Sequence, residues 1–173
     1  MSPVLAPRRR GFTALVTMTV AGLALSGCSL LGSLTGGDQA VRDADGQVVE
    51  GNDATDVFTL QVGDCINDGD AGDTVSAVPT VPCSEPHDSE IYASYILGDT
   101  AFPGNDAILA EAEDACLAEF ESFLGIDYVD SRYDFAYYYP TESSWGNGDR
   151  EILCLVYDPS GDQVTGSLAG ARE

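Results

Sequence analysis

The chain is 173 residues long and carries 29 acidic residues against seven Arg and no Lys, a formal charge of −22. Such a surface repels phosphate backbones and anionic head groups, which excludes a nucleic-acid binder built on a basic patch. The length is that of one domain with a true core rather than two.

Arg8, Arg9 and Arg10 precede an apolar run from Gly11 to Gly27 that holds Phe12, Leu15, Val16, Val20, Leu23 and Leu25. A charged start, an apolar middle and small residues at the end form a targeting segment, so residues 1–27 are read as a signal peptide and set aside from fold reasoning. Read instead as an uncleaved anchor, about 17 apolar residues is at the short limit for spanning a bilayer. Leu25-Ser26-Gly27-Cys28 resembles the bacterial lipobox. That resemblance implies diacylation of the Cys28 sulfur and cleavage before it, which makes the chain a lipoprotein on the extracytoplasmic face of the cell membrane. Two acyl chains, at about 0.8 kcal/mol per buried CH₂, hold a domain on a membrane whatever its charge. Arg9-Arg10-Gly11-Phe12 also resembles the core of a twin-arginine export signal, and both export routes stay open. Cleavage would remove three of the seven Arg and no acid, since Asp38 is the first, leaving four Arg against 29 acids, a formal −25.

From Cys28 to Thr55 the chain is rich in Gly, Asp and Ser without a sustained apolar period, and residues 28–55 are predicted to be a flexible acidic tether. Its root-mean-square reach would be about 25–30 Å. The folded domain is expected over residues 56–173. Phe58, Leu60 and Val62 alternate with Thr59 and Gln61, the period of a half-buried strand that Gly63-Asp64 ends. Val75 to Cys83 reads as extended, but Pro79 and Pro82 confine it to an edge or to irregular structure. Ser89 to Leu97 is a strand with Ile91, Ala93, Tyr95 and Leu97 on one face.

The spacing of Ile108, Ala112, Cys116, Phe120 and Phe123 or Leu124 predicts a helix between Gly104 and Gly125, capped by Asn105 or Asp106 and stopped by Gly125. Asp134 to Tyr139 and Glu151 to Tyr157 are strand-like, with a Gly-rich loop between Pro140 and Arg150. After a turn at Asp158-Pro159-Ser160-Gly161, Gln163 to Leu168 is expected to return as a short final strand. The sum is an α+β domain, a small antiparallel sheet packed by one main helix.

With Cys28 assigned to lipid, Cys65, Cys83, Cys116 and Cys154 remain, and an even number in an exported domain implies two disulfides. Four Cys permit three pairings, of which sequence order favours Cys65 with Cys83 and Cys116 with Cys154. Each closure contributes roughly 3 to 4 kcal/mol in chain-entropy terms. No C-x-x-C spacing and a single His argue against a metal site, and no cofactor is expected.

The ordered set Val62-Gly63-Asp64-Cys65, Val81-Pro82-Cys83, Pro86-His87, Glu90-Ile91-Tyr92, Cys116, Trp145, Gly148-Asp149-Arg150 and Cys154 resembles the septum formation domain family over about residues 57 to 170. Its most specific stretch runs from Val81 to Glu90 as V-P-C-x-x-P-H-x-x-E. The resemblance implies an actinobacterial envelope protein with a part in cell division or septum assembly, and it implies no catalytic activity.

His87 is the only imidazole, flanked by Asp88 and Glu90 and near Ser84 and Ser89, but nothing resembles an activated-serine turn. A hydrogen-bonding role for His87 and Glu90 beside the Cys83 clip is therefore preferred to catalysis, with no catalytic residue assigned. Asp64, Asn67, Asp68, Asp70 and Asp73 gather oxygens as a calcium loop would, yet the EF-hand order of Gly and Glu is missing and no metal ligand is assigned. Trp145 and Arg150 lie on a Gly-rich stretch where they would either grip a sugar or carboxylate or close the core. Tyr137, Tyr138 and Tyr139 carry the same two readings. His87, Glu90, Trp145 and Arg150 are thus the candidate binding residues of a binding or scaffold module that meets the membrane through its lipid and other envelope or division proteins through its surface. A solute or glycan receptor with a pocket near Trp145 and His87, and an envelope hydrolase using His87, are the alternatives.

Overall fold

The computed structural model describes residues 38–72, 74–98 and 101–173. Cys28, the signal peptide and the first part of the expected tether lie outside the described residues. Within them run β1 (Val41–Arg42), β2 (Val48–Glu50), β3 (Asn52–Asp56), β4 (Cys65–Ile66), β5 (Ala77–Val81), β6 (Ser89–Ile96), α1 (Asn105–Leu124), β7 (Asp134–Tyr138), α2 (Glu142–Gly146) and β8 (Glu151–Tyr157). β1 and β2 form a hairpin of their own, and the others build a six-stranded sheet in the order β3-β5-β4-β6-β8-β7, antiparallel throughout. One main helix on an antiparallel sheet, stapled by two disulfides, is the α+β architecture expected from the sequence.

α1 buries Ile108, Ala112, Cys116, Phe120 and Leu124, a strict i, i+4 row that forms one ridge. The ridge packs on β6, β7 and β8 together with Tyr92, Leu97, Tyr133, Trp145, Ile152, Cys154 and Val156. Gly125 ends the helix in the left-handed region at φ 75°, its N–H returning to the Glu121 carbonyl at 2.8 Å. Gly104 occupies the N-cap without a side-chain bond, in place of the expected Asn105 or Asp106. Cys116 is bonded to Cys154 and Cys65 to Cys83, with Cα separations of 5.4 and 5.2 Å.

The opposite face carries a second cluster of Leu60, Ile66, Val78, Ile91, Leu153 and Leu155. β6 reaches both clusters by alternation at Ile91 and Tyr92, and a register shift between Ile91 and Ala93 then keeps Ala93 on the face of Tyr92. Ile91 therefore does not share a face with Ala93 and Leu97: it joins the second cluster, whereas Ala93 and Leu97 pack with the helix.

Several expectations change at the N-terminal side. Residues 38–55 are not a tether in the structure. β3 adds to the main sheet beside β5, the Asp56 N–H donates to the Asp38 carbonyl at 2.9 Å, and Arg42 on β1 forms a two-armed ion pair with buried Asp64. Gly51, before β3, allows the close approach, since a Cβ there would fall 2.3 Å from the Thr80 carbonyl oxygen. The predicted strand over Phe58 to Val62 is instead a 3-10 turn at Val57–Thr59 and a bend. Carboxylates cause it: Asp56 accepts from the Phe58 N–H at 3.0 Å and Asp64 from the Gln61 N–H at 2.8 Å, satisfying donors that a strand would have presented to a neighbour. Only Leu60 of the three alternating apolar residues turns inward.

β5 lies between β3 and β4 despite Pro79. Asn52 pairs with Thr80 and Thr55 with Val78, so the extra residue of β3 bulges opposite Pro79 and no ladder donor is needed there. The loop between Pro140 and Arg150 contains α2, closed by a capping box in which Thr141 accepts from the Ser144 N–H and the Ser144 hydroxyl from the Thr141 N–H. The expected final strand is reduced to one bridge between His87 and Val164. The tail then passes the end of α1, with Gly170 N–H donating to the Phe123 carbonyl at 2.7 Å and Arg172 N–H to that of Leu124 at 2.9 Å.

The disulfides differ in the loops they close, with sequence separations of 38 for Cys116–Cys154 and 18 for Cys65–Cys83. Replacing the first pair by Ala should cost about 4 kcal/mol and the second about 3 kcal/mol of unfolding free energy. Urea titration of the two double variants checks the order; a larger loss at Cys65–Cys83 would show that loop length does not set the ranking.

Candidate functional site

The sequence-predicted residues fall into separate places. His87 and Glu90 sit inside, under the C-terminal tail. His87 has no exposed surface; its backbone is bridged to Val164 by bonds of 3.0 and 2.9 Å and its Nδ1 lies 2.9 Å from the Glu85 carbonyl. Its Nε2 is buried without a hydrogen-bond partner among the described residues. Glu90, 1 % exposed, stands on β6 opposite Cys65. Its carboxylate accepts the Ser167 hydroxyl at 2.7 Å and the Leu168 N–H at 2.6 Å, so it fastens the tail to the sheet. Burial lifts the Glu90 carboxyl above its ordinary value, against the opposing pull of the Leu168 and Ser167 bonds and of nearby His87. Glu90 also lies near the sulfurs of Cys65 and Cys83, but these sulfurs are joined to each other and offer no thiolate to a metal.

Trp145 and Arg150 form a second pair at α2. The guanidinium carbon of Arg150 stands 3.8 Å from the centroid of the Trp145 ring, and its Nη1 donates to the Trp145 and Asp149 carbonyls at 2.9 and 2.6 Å. Trp145 is buried and meets Phe102 edge-on at 5.7 Å. Of the two readings of this pair, the structure favours closure of the core.

Three residues of the oxygen-rich segment around β4 are spent on internal bonds. Asp64 holds Arg42, and Asn67 accepts from the Asp88 N–H at 3.1 Å and Gln163 at 2.9 Å. Asp68 accepts from the hydroxyls of Ser89 and Tyr138, both at 2.8 Å. Asp70 is exposed, and Asp73 lies outside the described residues.

What sequence reasoning missed is a groove of about 490 Å³ on the sheet face away from α1. Leu153, Tyr138 and Val57 give it apolar surface, Phe58 adds an exposed ring, Tyr137 and Tyr139 border it, and Ser143, Ser144, Asn147, Asp149 and Glu151 add polar groups. None of His87, Glu90, Trp145 or Arg150 lines it. The signal present in the sequence was the Tyr run: Tyr137 packs with the helix-side cluster, whereas Tyr138 packs against the second cluster. Phe58 was expected inside a strand face and stands outside because of the turn at Asp56.

A family model described as septum formation matches residues 27–130 and, in an overlapping second match, 62–172. The chain belongs to the septum formation family. That membership points to a role in septum formation and cell division. No curated protein and no solved structure matches the chain. In this septum formation domain the stretch from Val81 to Glu90 carries structural residues: Cys83 clips to β4, His87 bridges to the tail and Glu90 anchors it. No helix among the described residues is long and apolar enough to cross a membrane.

Because the folded state raises the Glu90 pKa above the ordinary 4.5, it retains a proton that the unfolded chain has already lost as pH rises past that value. Stability from this group is therefore greatest below about pH 4.5 and declines as pH rises through the folded-state pKa. Glu90→Gln removes the titration, so its melting temperature should fall less than that of the wild type between about pH 4.5 and 7. Thermal melts across that range test it, and parallel curves for the two proteins would refute it.

Proposed function

We propose that the chain is a non-catalytic lipoprotein, anchored through Cys28 on the extracytoplasmic face of the cell membrane, whose domain serves as a binding or scaffold module in septum formation. The observation that carries the non-catalytic part is the burial of His87. The only imidazole in the chain has no exposed surface and is bridged to the tail. A His-dependent hydrolase needs that nitrogen within hydrogen-bond reach of a nucleophile and of the substrate. The groove supports binding instead, since it combines aromatic surface with polar groups in a concave setting. The lipid reading rests on the sequence Leu25-Ser26-Gly27-Cys28, and family membership supports the septal setting.

A solute or glycan receptor is the second reading. The hydroxyl and amide groups of Ser143, Ser144 and Asn147 in a groove that also holds Phe58 and Tyr138 favour it.

The scaffold reading predicts that proximity labelling from the anchored protein in its own cells enriches division or wall-synthesis proteins, and that Cys28→Ala abolishes the enrichment. Uniform labelling of the envelope, unchanged in the variant, would remove the septal assignment.

A further inference from the structure

The two faces of the sheet are covered unequally. On the side away from α1, Leu60, Ile66, Val78, Ile91 and Leu155 close one half of the surface. The other half, at the ends of β7 and β8 beside the segments carrying Phe58 and Val75, holds the groove. Phe58 and Tyr139, both lining it, are 64 % and 38 % exposed. Ile96, paired in register with the groove residue Glu151, is 63 % exposed. Phe58 on the groove and Ile96 beside it are large apolar side chains left exposed, which marks an interaction surface. The Tyr138 ring beneath them is held by its hydroxyl bond to Asp68.

Charge decides the kind of occupant. Asp149 and Glu151 line the groove, no Arg does, and the chain has no Lys. A second copy would bring the same −22 charge and the same carboxylates to the contact, so self-association on this face is opposed by repulsion. A cationic partner is attracted by the same field, and its charged groups have ring faces to rest on. The geometry also suits an extended segment. β7 is the last strand of the sheet, and its Phe135 N–H meets the carboxylate of Asp134 at 2.8 Å rather than a further strand.

We propose that this groove docks an extended, Lys- or Arg-bearing segment of another envelope protein, its cationic groups on Asp149 and Glu151 and its apolar side chains over Leu153 and Phe58. The inference rests on the binding-module reading and assigns that module's partner a chemistry.

The test is calorimetric titration of the full chain in detergent with three probes: a short peptide alternating Lys with Val and Tyr, its counterpart with Glu for Lys, and chitotetraose as a neutral glycan. The Lys peptide should bind and the Glu peptide should not. Phe58→Ala combined with Glu151→Gln should weaken binding about tenfold, and raising salt from about 50 to about 500 mM should weaken it further. Phe58 is exposed and Gln retains an acceptor for the Ser94 hydroxyl, so the variant should keep its fold, which circular dichroism checks. Absence of binding by the Lys peptide, equal binding of both peptides, or an affinity unchanged in the variant overturns the proposal. Chitotetraose binding without peptide binding also overturns it and makes the groove a glycan site. If the peptide fails while anchored protein still labels division partners, only the groove assignment falls; if both fail, the module reading falls with it.

Discussion

The bond between Cys116 and Cys154 joins the middle of α1 to the middle of β8, and the rest of the domain is arranged around that seat. It sets which side of the helix faces the sheet, so the i, i+4 row from Ile108 to Leu124 lies along β6 and β8. β8 in turn has a strand on each side and an apolar cluster on each face, which is why five consecutive residues from Ile152 to Val156 are buried. Tyr92 completes the seat: its hydroxyl donates to the Cys116 carbonyl at 2.7 Å, and burial pushes the phenol well above its ordinary pKa. The covalent link restrains the unfolded chain, whereas the packing about it selects a single helix register.

A chain with so many carboxylates and so few cations must distribute its Arg with care. Arg42 ties the β1–β2 hairpin to Asp64, Arg132 pairs with Asp158, Arg150 covers Trp145, and the backbone of Arg172 holds the tail to the end of α1. Asp158 is held down to about 2 by its bonds from Ser160, with Arg132 adding to the effect. The described Arg residues thus serve the fold, and the surface they leave behind is anionic. A protein with that surface discriminates partners by sign before it does so by shape.

The two faces of the sheet show a division of labour. The helix side is closed by the ridge of α1 and by the tail, and the residues that looked most functional, His87 and Glu90, act there as fasteners. The other side is closed only near β4 and β5, where the loop carrying Leu60 folds over it. Toward β7 the aromatic and acidic groups of the groove are left in contact with solvent.

Some of this was legible in the residues and some was not. The helix was readable from Ile108, Ala112, Cys116 and Phe120, because a period of 3.6 is a local property and Gly125 supplies a local stop. The strands β6, β7 and β8 and the α+β class followed from comparably short-range patterns, and the cysteine pairing from the order of the four Cys along the chain. The turn at Val57–Thr59 was not readable, because its alternating Phe58, Leu60 and Val62 mimic a strand while the carboxylates of Asp56 and Asp64 capture the backbone donors. The ordered hairpin before it was hidden for the same reason: Arg42 finds Asp64 only across 22 residues of chain. The interior position of His87 likewise depends on Val164, and the groove depends on where the turn leaves Phe58. Periodicity, caps and the charge balance are decided between near neighbours, so the amino-acid order alone contains them. Which polar groups are buried, and which half of the sheet stays open, is decided between residues far apart in the chain, and only the folded arrangement brings those residues together.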